Sequence, residues 1–408
     1  MQDNEKKPAL RFKGFTDPWE QRKLKELYFQ LTERNTDLLP YQKTLSVATM
    51  SFKTDGNGAA DTSLANYKRL RTGDIAFEGH TSKEFRYGRF VLNDVGDGIM
   101  SPRFSALRPL HEMPINFWKY YIHYEPIMRK VLVNSTKAGT MMNELVINDF
   151  LQGSILVPSM AEQQAIGRFF KQLDTLITLH QRKYEKLVNI KKSMLDKMFP
   201  KNGASVPEIR FKGFTDPWEQ RKLGEICDFI TKGATPTTYG FSWQPDGVPF
   251  FRNDSIKDNV FVFGEFSYIS EAANEVLKRS EVHGNDILIA ITGDIGKVGI
   301  IPDTVEKANI NQHIARVRIR KEALPYFVYQ YLASDDTQKE YQKIKTGLSM
   351  PQLSLEQVRD IVVKIPEFNE QGKIADCLRR IDTLITLHQR KLEKLQNIKK
   401  SCLEKMFV

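Results

Sequence analysis

This sequence has few cysteines, no long apolar run and no apolar segment close after its first residues. Its 408 residues include three cysteines, Cys227, Cys377 and Cys402. They are too few and too scattered for a disulfide framework, or for a zinc site with paired Cys-x-x-Cys spacing. The longest apolar stretch, at residues 287–291, falls far short of the roughly 18 residues that a membrane-spanning helix needs. The charged first seven residues are followed by no apolar segment of the kind found in secretory signals. We therefore expect a cytoplasmic protein with no membrane partner.

Several catalytic motifs are also missing. Gly296-Lys297 resembles the end of a Walker A motif, but Ile291 stands where its first glycine belongs and Val298 replaces its Ser or Thr. The segment 17–19, Asp-Pro-Trp, resembles the loop of amino-methyltransferases without its second proline. Neither Gly-x-Ser-x-Gly nor His-Glu-x-x-His occurs. The sequence predicts a protein that is not an enzyme, with no catalytic residue, no metal site and no cofactor of its own.

The composition nevertheless favours a folded, basic protein. Hydrophobic residues make up 41% of the chain and charged residues 27%, which is ordinary for globular domains and argues against wholesale disorder. Lys and Arg outnumber Asp and Glu by 60 to 50, so the net charge is +10. Such a balance favours a polyanionic partner, with nucleic acid ahead of an acidic membrane surface.

The chain contains a large internal duplication. Residues 11–24 and 210–223, which we call the frame segments, are identical at all 14 positions, and residues 174–183 are repeated at 382–391. Extended to residues 173–199 and 381–407, the second pair has 22 identities in 27 positions. The stretches between, residues 25–157 and 224–365, share little, and we call them the variable domains. A duplication that merely enlarged the protein would have diverged evenly, so we expect two copies of one supporting structure that present two different domains.

Each variable domain is followed by a segment with the pattern of a long helix. In residues 160–199 apolar side chains recur at alternating spacings of three and four, as at Ile166, Phe169 and Leu173, which is typical of a coiled-coil seam. Each segment spans about 60 Å if fully helical and carries a net charge of +4. We predict that the two helices form an antiparallel pair. Four polar residues interrupt the seam and are expected to set its register rather than to bind metal or catalyse: His180, Lys183, His388 and Lys391.

The variable domains have the pattern of mixed α/β structure. In the second, strands are predicted at residues 248–252, 284–293, 296–302 and 309–318, with a helix near 326–344 and a Lys-Thr-Gly loop after it. The first shows parallels at residues 73–77, 100–109 and 137–145. A cation beside a glycine and short hydrogen-bonding side chains suits contacts to phosphates and base edges, although such a loop can also be an ordinary connection.

We predict that these loops supply the DNA contacts. In the first domain the candidates are Arg86, Tyr87, Arg89, Arg103, Lys137, Gly139, Thr140 and Asn143. In the second they are Lys232, Thr235, Thr237, Thr238, Tyr239, Arg252, Lys297, Gln312, Lys345, Gly347, Ser349 and Gln352.

The order of these motifs resembles the DNA specificity subunit of type I restriction-modification systems. The resemblance lies in residues 223–225 (Leu-Gly-Glu), 233–236 (Gly-Ala-Thr-Pro), 284–299 and 347–354. It also lies in the hydrophobic-Pro-x3-Glu-Gln block at 157–163 and again at 365–371, each of which leads into an Asp-Thr-Leu-Ile helix. The first variable domain departs from this pattern, since it has Lys-Glu-Leu at 25–27 and lacks the Gly-x-Thr-Pro loop.

The resemblance implies an α+β fold, in which two α/β target-recognition domains are separated by a long antiparallel coiled-coil pair with pseudo-twofold symmetry. The expected division is residues 1–157, 158–203, 204–365 and 366–408, as domain, helix, domain, helix. Each domain would bind one half of a bipartite, asymmetric site in double-stranded DNA. The helices would set the gap and dock two modification subunits, which carry S-adenosylmethionine and methylate adenine. Two restriction subunits, with ATP and Mg²⁺, would translocate and cut the DNA.

Two alternatives from other classes stay open at this point. One is a two-armed coiled-coil adaptor that binds proteins through its variable domains. The other is an enzyme with a hidden nuclease site.

Overall fold

The fold is that of a computed structural model, which describes residues 7–53, 61–139, 142–201, 203–264, 266–347 and 351–407. The chain divides into two compact units. Unit 1 comprises Met1–Gln181 with Arg390–Val408, and unit 2 comprises Arg182–Gln389. None of the helices within the described ranges combines the length and apolar character required to cross a bilayer. The division into four segments at 157, 203 and 365 stays a prediction.

Unit 1 contains twelve short strands and three short helices in its described part. The strands are β1 (Glu20–Lys23), β2 (Tyr28–Gln30), β3 (Leu45–Ser46), β4 (Ser51–Phe52), β5 (Lys68–Leu70), β6 (Ile75–Glu78), β7 (Arg89–Leu92), β8 (Gly98–Met100), β9 (Ala106–Pro109), β10 (Thr136–Lys137), β11 (Glu144–Leu145) and β12 (Ser154–Val157). The helices are α1 (Ile115–Tyr121), α2 (Glu125–Leu132) and α3 (Ile147–Gln152). The long helix α4 (Met160–Met198) begins in unit 1 and ends in unit 2.

Unit 2 also contains twelve strands in its described part. They are β13 (Glu219–Lys222), β14 (Cys227–Lys232), β15 (Val248–Phe251), β16 (Ile256–Lys257), β17 (Val260–Phe261), β18 (Ser267–Ile269), β19 (Glu281–Val282), β20 (Ile287–Ala290), β21 (Val298–Ile300), β22 (Ala308–Ile310), β23 (Ile314–Ile319) and β24 (Val362–Ile365). The helices are α5 (Glu271–Val276), α6 (Pro325–Leu332), α7 (Asp335–Ile344), α8 (Leu355–Asp360) and the long α9 (Phe368–Met406), which ends in unit 1.

Each variable domain has its own four-stranded antiparallel main sheet, and the two sheets have equivalent strand orders. The strand order is β2-β9-β6-β7 in unit 1 and β14-β23-β20-β21 in unit 2. Strands β6 and β20, which follow the predicted glycines, are buried along their whole length. Unit 2 has a second four-stranded sheet, β18-β15-β22-β19, in which β15 and β22 run parallel. The two domains thus have equivalent main sheets although their sequences share little.

In each variable domain, the strand at which the domain begins pairs with the strand at which it ends, and the two form a two-stranded ladder. The Glu-Gln-Arg-Lys of each frame segment forms β1 or β13, which pairs antiparallel with β12 or β24, the strand just before a long helix. Immediately beyond the ladder, the Leu24 amide donates to the Gly153 carbonyl at 2.9 Å, and the Leu223 amide donates to the Ile361 carbonyl at 2.8 Å. The ends of each domain are therefore held together by the repeated segments.

A buried ion pair attaches each frame segment to the start of a long helix. The Arg11 guanidinium donates two hydrogen bonds to the Glu162 carboxylate, at 2.6 and 2.7 Å, and Arg210 donates two to Glu370, both at 2.7 Å. Only 1% of the Glu162 side chain and 0% of the Glu370 side chain is exposed. The Glu-Gln block singled out in the sequence thus holds the frame segment.

The long helices pack together in antiparallel fashion, as predicted. In unit 1, Lys399 near the end of α9 pairs with Asp174 near the start of α4 at 2.6 Å. In unit 2, Lys191 near the end of α4 pairs with Asp382 near the start of α9 at 2.7 Å. These residues occupy equivalent repeat positions, so the same pairing between the two helices occurs once in each unit.

The row of shielded residues along each helix differs from the predicted seam at every second position. In α4 it runs through Phe170, Leu173, Ile177, His180, Tyr184, Leu187, Lys191, Met194 and Met198. Lys183 and its counterpart Lys391, which we predicted in the seam, are exposed, and Tyr184 and Leu392 occupy the row instead. The sequence admits both phases because neighbouring residues such as Leu176 and Ile177 are both apolar. The register roles of His180 and His388, which are half-buried, stay predictions.

Candidate nucleic-acid interface

In unit 1 the predicted contact residues gather at one end of the main sheet, where β6 ends and β7 begins. Arg86 is exposed, and its guanidinium lies 6.0 Å from the centre of the Tyr87 ring. Arg89 is engaged differently, since its Nε donates to the Glu78 carboxylate at 3.0 Å and its guanidinium covers the Phe85 ring at 5.0 Å. Arg86 is thus better placed than Arg89 to contact a ligand.

The hairpin of β10 and β11 lies against this end of the sheet. The Asn143 amide donates to the Gly79 carbonyl at 2.9 Å. A Cβ at Gly79 would stand 1.9 Å from the Asn143 carbonyl oxygen, so only glycine permits this approach. The hairpin carries exposed Lys137 and Gly139 beside the Arg86 turn, while Thr140 lies outside the described residues.

The turn between β8 and β9 reaches the same end. The Phe77 amide donates to the Ser105 carbonyl at 2.8 Å, which places the turn next to the last residues of β6. Its Arg103 is exposed and lies 5.5 Å from the Phe104 ring centre. The structure therefore brings six candidates to one end of the main sheet of unit 1: Arg86, Tyr87, Arg103, Lys137, Gly139 and Asn143.

In unit 2 a chain of polar contacts occupies the corresponding end of the sheet. The Thr235 hydroxyl donates to Gln312 at 2.6 Å, and the Gln312 amide lies 3.1 Å from His313 Nε2. The Nδ1 atom of His313 is 2.6 Å from the Thr292 hydroxyl. Because Lys232 is the last residue of β14, this candidate stands at the same end.

The loop after α7 joins this cluster. The Asn253 amide donates to the Thr292 carbonyl at 2.8 Å, and Thr292 forms a β-bridge with Gln352. The Gln352 amide in turn donates to the Thr346 carbonyl at 2.8 Å. Lys345 is exposed beside it, and Gly347 has φ of +89°, in the left-handed region that favours glycine. Ser349 lies outside the described residues.

The remaining candidates differ in availability. Thr237, Thr238 and Tyr239 are exposed on a short turn after Thr235. Lys297 forms an ion pair with Asp294 at 2.7 Å. Arg252 is exposed at the end of β15. Sequence reasoning missed Trp243, Asn253, Thr292 and His313. For Asn253 and Thr292, the only signal in the sequence is that a polar residue follows soon after an apolar strand.

Two other arginines serve the fold instead. The guanidinium of Arg108 donates to the carboxylate of Asp74 at 2.9 and 2.8 Å, and Arg318 donates to Asp286 at 2.7 and 2.6 Å. Burial raises the pKa of the Asp74 carboxyl, and the hydrogen bonds to Asp286 raise the pKa of the Arg318 guanidinium. These ion pairs link neighbouring strands of each main sheet, so Arg108 and Arg318 stabilise the sheet.

We found no cluster of three His, Cys, Asp or Glu side chains able to hold a metal ion in the part of the chain that the structure describes. The side chains gathered at both sheet ends include cations, amides and hydroxyls, which are groups that bind phosphates and base edges.

Comparison with known proteins identifies the class. The model of the type I restriction modification DNA specificity domain matches residues 17–189 and, a second time, residues 215–397. The chain therefore belongs to this family, and the predicted resemblance is confirmed.

Similar proteins include two from Methanocaldococcus jannaschii. The putative type I restriction enzyme MjaX specificity subunit is 25% identical over 356 residues, which cover 83% of this chain and 78% of that protein. The type I restriction enzyme MjaVIII specificity subunit is 25% identical over 288 residues, 69% of this chain and 67% of that protein. The crystal structure of the S subunit from M. genitalium superposes with a TM-score of 0.63 at 16% identity, covering 98% of this chain and 99% of the other. The predicted fold class is confirmed.

Proposed function

We propose that this chain is the DNA-recognition subunit of a type I restriction-modification complex and that it is not itself an enzyme. Each variable domain would recognise one half of a bipartite, asymmetric DNA site, and the protein would act in the cytoplasm. The observation that carries this proposal is the gathering of polar and basic side chains at the same end of two equivalent sheets. Because the two sets of side chains differ, the half-sites should differ too. DNA binding of the chain with its modification subunits should fall steeply with salt, whereas a protein adaptor would show no such dependence.

The closed ladders support independent recognition by each domain. Residues 24 and 153 meet beside the ladder of β1 and β12, so the chain enters and leaves the domain at one place, and the stretch up to the end of β12 can be exchanged as one piece. Replacing residues 25–157 with those of another specificity subunit should change one half of the methylated site. A change in both halves would contradict modular recognition.

We propose that the paired helices set the gap between half-sites. Each is 39 residues long, or about 58 Å, and each passes from one unit into the other. Adding two helical turns to α4 between Asp174 and Lys192, with the matching turns in α9, should lengthen the gap between methylated adenines. An unchanged gap would refute this role.

Exposed leucines on the helices support the docking of two modification subunits. Leu176 and Leu179 are 42% and 44% exposed, and their repeat counterparts Leu384 and Leu387 are 43% and 42% exposed. One apolar surface presented twice suits two copies of one partner. These subunits would carry S-adenosylmethionine, and two restriction subunits would bring ATP and Mg²⁺.

This docking surface can be tested by stoichiometry. Leu176→Asp with Leu179→Asp should reduce the bound modification subunits from two to one, as measured by light scattering. The double change at Leu384 and Leu387 should do the same, and all four together should abolish assembly. Lys192→Gln, at an exposed polar position on the opposite side of α4 from Leu176, is the control and should leave two bound. Two bound subunits in the fourfold variant would exclude this surface.

A further inference from the structure

Arg252 in unit 2 is held in one place by two different contacts. Its guanidinium lies 4.8 Å from the centre of the Trp243 ring, and one Nη2 hydrogen is donated to the Ser267 hydroxyl at 2.9 Å. Within the described ranges we found no carboxylate paired with Arg252. The side chain of Arg252 is therefore oriented by an aromatic ring and a hydroxyl group.

The groups that orient Arg252 are themselves fixed. The Trp243 ring packs edge-on against Phe250 at 5.1 Å, and Phe250 is buried in the second sheet of unit 2. Ser267 is the first residue of β18, opposite Phe250 in the ladder. On the other side, the next residue, Asn253, is tied to the Thr292 carbonyl. Arg252 thus projects from a position that is held by contacts to both four-stranded sheets of unit 2.

Its position is continuous with the polar end of the main sheet. The Asn311 amide donates to the Phe251 carbonyl at 3.1 Å, which sets Arg252 beside the Gln312–His313 pair. Unit 1 offers similar arginines, Arg86 over Tyr87 and Arg103 over Phe104. All three are exposed arginines stacked on aromatic rings at the predicted DNA-binding ends.

We propose that Arg252 is a base-recognition residue, which donates two hydrogen bonds to the O6 and N7 acceptors of a guanine in the half-site bound by unit 2, and that Trp243 and Ser267 are its positioning residues. A guanidinium has five N–H donors in a rigid fork. One is used by Ser267, so enough remain for the paired acceptors that guanine presents in the major groove. A phosphate contact would not need such bracing, and exposed lysines such as Lys345 already suit that task.

This inference rests on the proposed function. Its test uses the full chain assembled with its modification subunits. Methylated adenines are mapped to obtain the site, and affinities are then measured for duplexes with each base pair of both half-sites replaced in turn.

Arg252→Ala should reduce discrimination at a single G·C pair of one half-site by about 10- to 100-fold and leave the other half-site unchanged. Trp243→Ala should weaken discrimination at the same pair, and it should add nothing when combined with Arg252→Ala. The control is Arg320→Ala, which removes the same charge from the far end of β23, where Arg320 follows the strand and lies near Asp228. It should leave discrimination unchanged.

Three results would overturn the assignment while the proposed function stands. They are a unit 2 half-site without a G·C pair, an Arg252→Ala variant with unaltered discrimination, and an equal loss of affinity on every duplex with a smaller salt slope, which would mark a phosphate contact. A wild-type complex that binds all duplexes equally would instead refute the proposed function, and this inference with it.

Discussion

The two buried arginine–glutamate pairs allow one prediction to be checked twice in the same molecule. Glu370→Gln preserves the size of the side chain but removes the charge that faces Arg210. Removing one partner of a buried ion pair typically costs about 3–5 kcal/mol. Because 14% of the Arg210 side chain is exposed, water reaches the orphaned guanidinium, so we expect about 3 kcal/mol. That is a large share of the roughly 5–15 kcal/mol that stabilises a typical protein.

The second pair is the internal replicate. Arg11 is also 14% exposed, Glu162 is 1% exposed, and the bond lengths agree within 0.1 Å. Glu162→Gln should therefore destabilise unit 1 as much as Glu370→Gln destabilises unit 2. Urea denaturation gives the magnitude, and hydrogen exchange of peptides from each unit shows where the loss occurs.

A compensating variant separates charge from packing. Joint replacement of Arg210 and Glu370 by methionine removes the desolvated charges together, and such replacements are often neutral or stabilising. It should recover most of the stability lost in Glu370→Gln. A loss below about 1 kcal/mol for Glu370→Gln, or protection lost in the wrong unit, would refute the reasoning.

Three further predictions concern single contacts. Phe407 packs against Tyr121 at 5.2 Å and Phe170 at 5.7 Å. Replacing Phe407 by Ala should lower the free energy of unfolding of unit 1 by about 3–5 kcal/mol in urea denaturation. Phe199→Ala should do the same to unit 2, and equal hydrogen exchange in both units would contradict this. Gly233→Ala should destabilise unit 2 and abolish recognition of its half-site in methylation mapping, because a Cβ there would stand 1.9 Å from the Ile310 carbonyl oxygen; unchanged methylation would be the contrary result. Burial lowers the pKa of His123 from its ordinary 6.5, so its contribution to stability is present above that pH and is lost as pH falls through the folded-state pKa; His123→Gln should make the melting temperature of unit 1 less sensitive to acid, and an unchanged pH profile would count against it.

Local patterns predicted the long helices, their pairing and the strands after Gly73 and near Gly284. The phase of the helix seam could not be predicted, because apolar residues at 176 and 177 satisfy the same spacing and only tertiary packing selects one. The equivalence of the two main sheets was hidden because buried strands accept many combinations of apolar residues. For the site, Arg86 and Arg89 looked alike in sequence. Their difference depends on Glu78, whose approach is set by strand pairing rather than by spacing.

The sites that sequence reasoning missed are those that depend on long-range contacts. Asn253, Thr292 and His313 come from three separate strand ends, and no local pattern joins them. Conversely, Lys297 is one of the predicted DNA contacts, but Asp294 three residues earlier partly neutralises it. Pairing decides which charges are available to a ligand, and pairing is a property of the fold.

The identity of the frame segments follows from what each must hold. Each segment makes an ion pair to the start of one long helix, and the residue just before the segment is hydrogen-bonded to the end of the other long helix. The Leu10 amide donates to the Lys405 carbonyl at 2.8 Å, and the Ile209 amide donates to the Lys197 carbonyl at 2.9 Å. Each frame segment therefore meets the start of one long helix and the end of the other, so a change in a segment would have to be matched in both helices. The stretches beyond the ladders meet no such requirement, and they are free to differ as two recognition domains must.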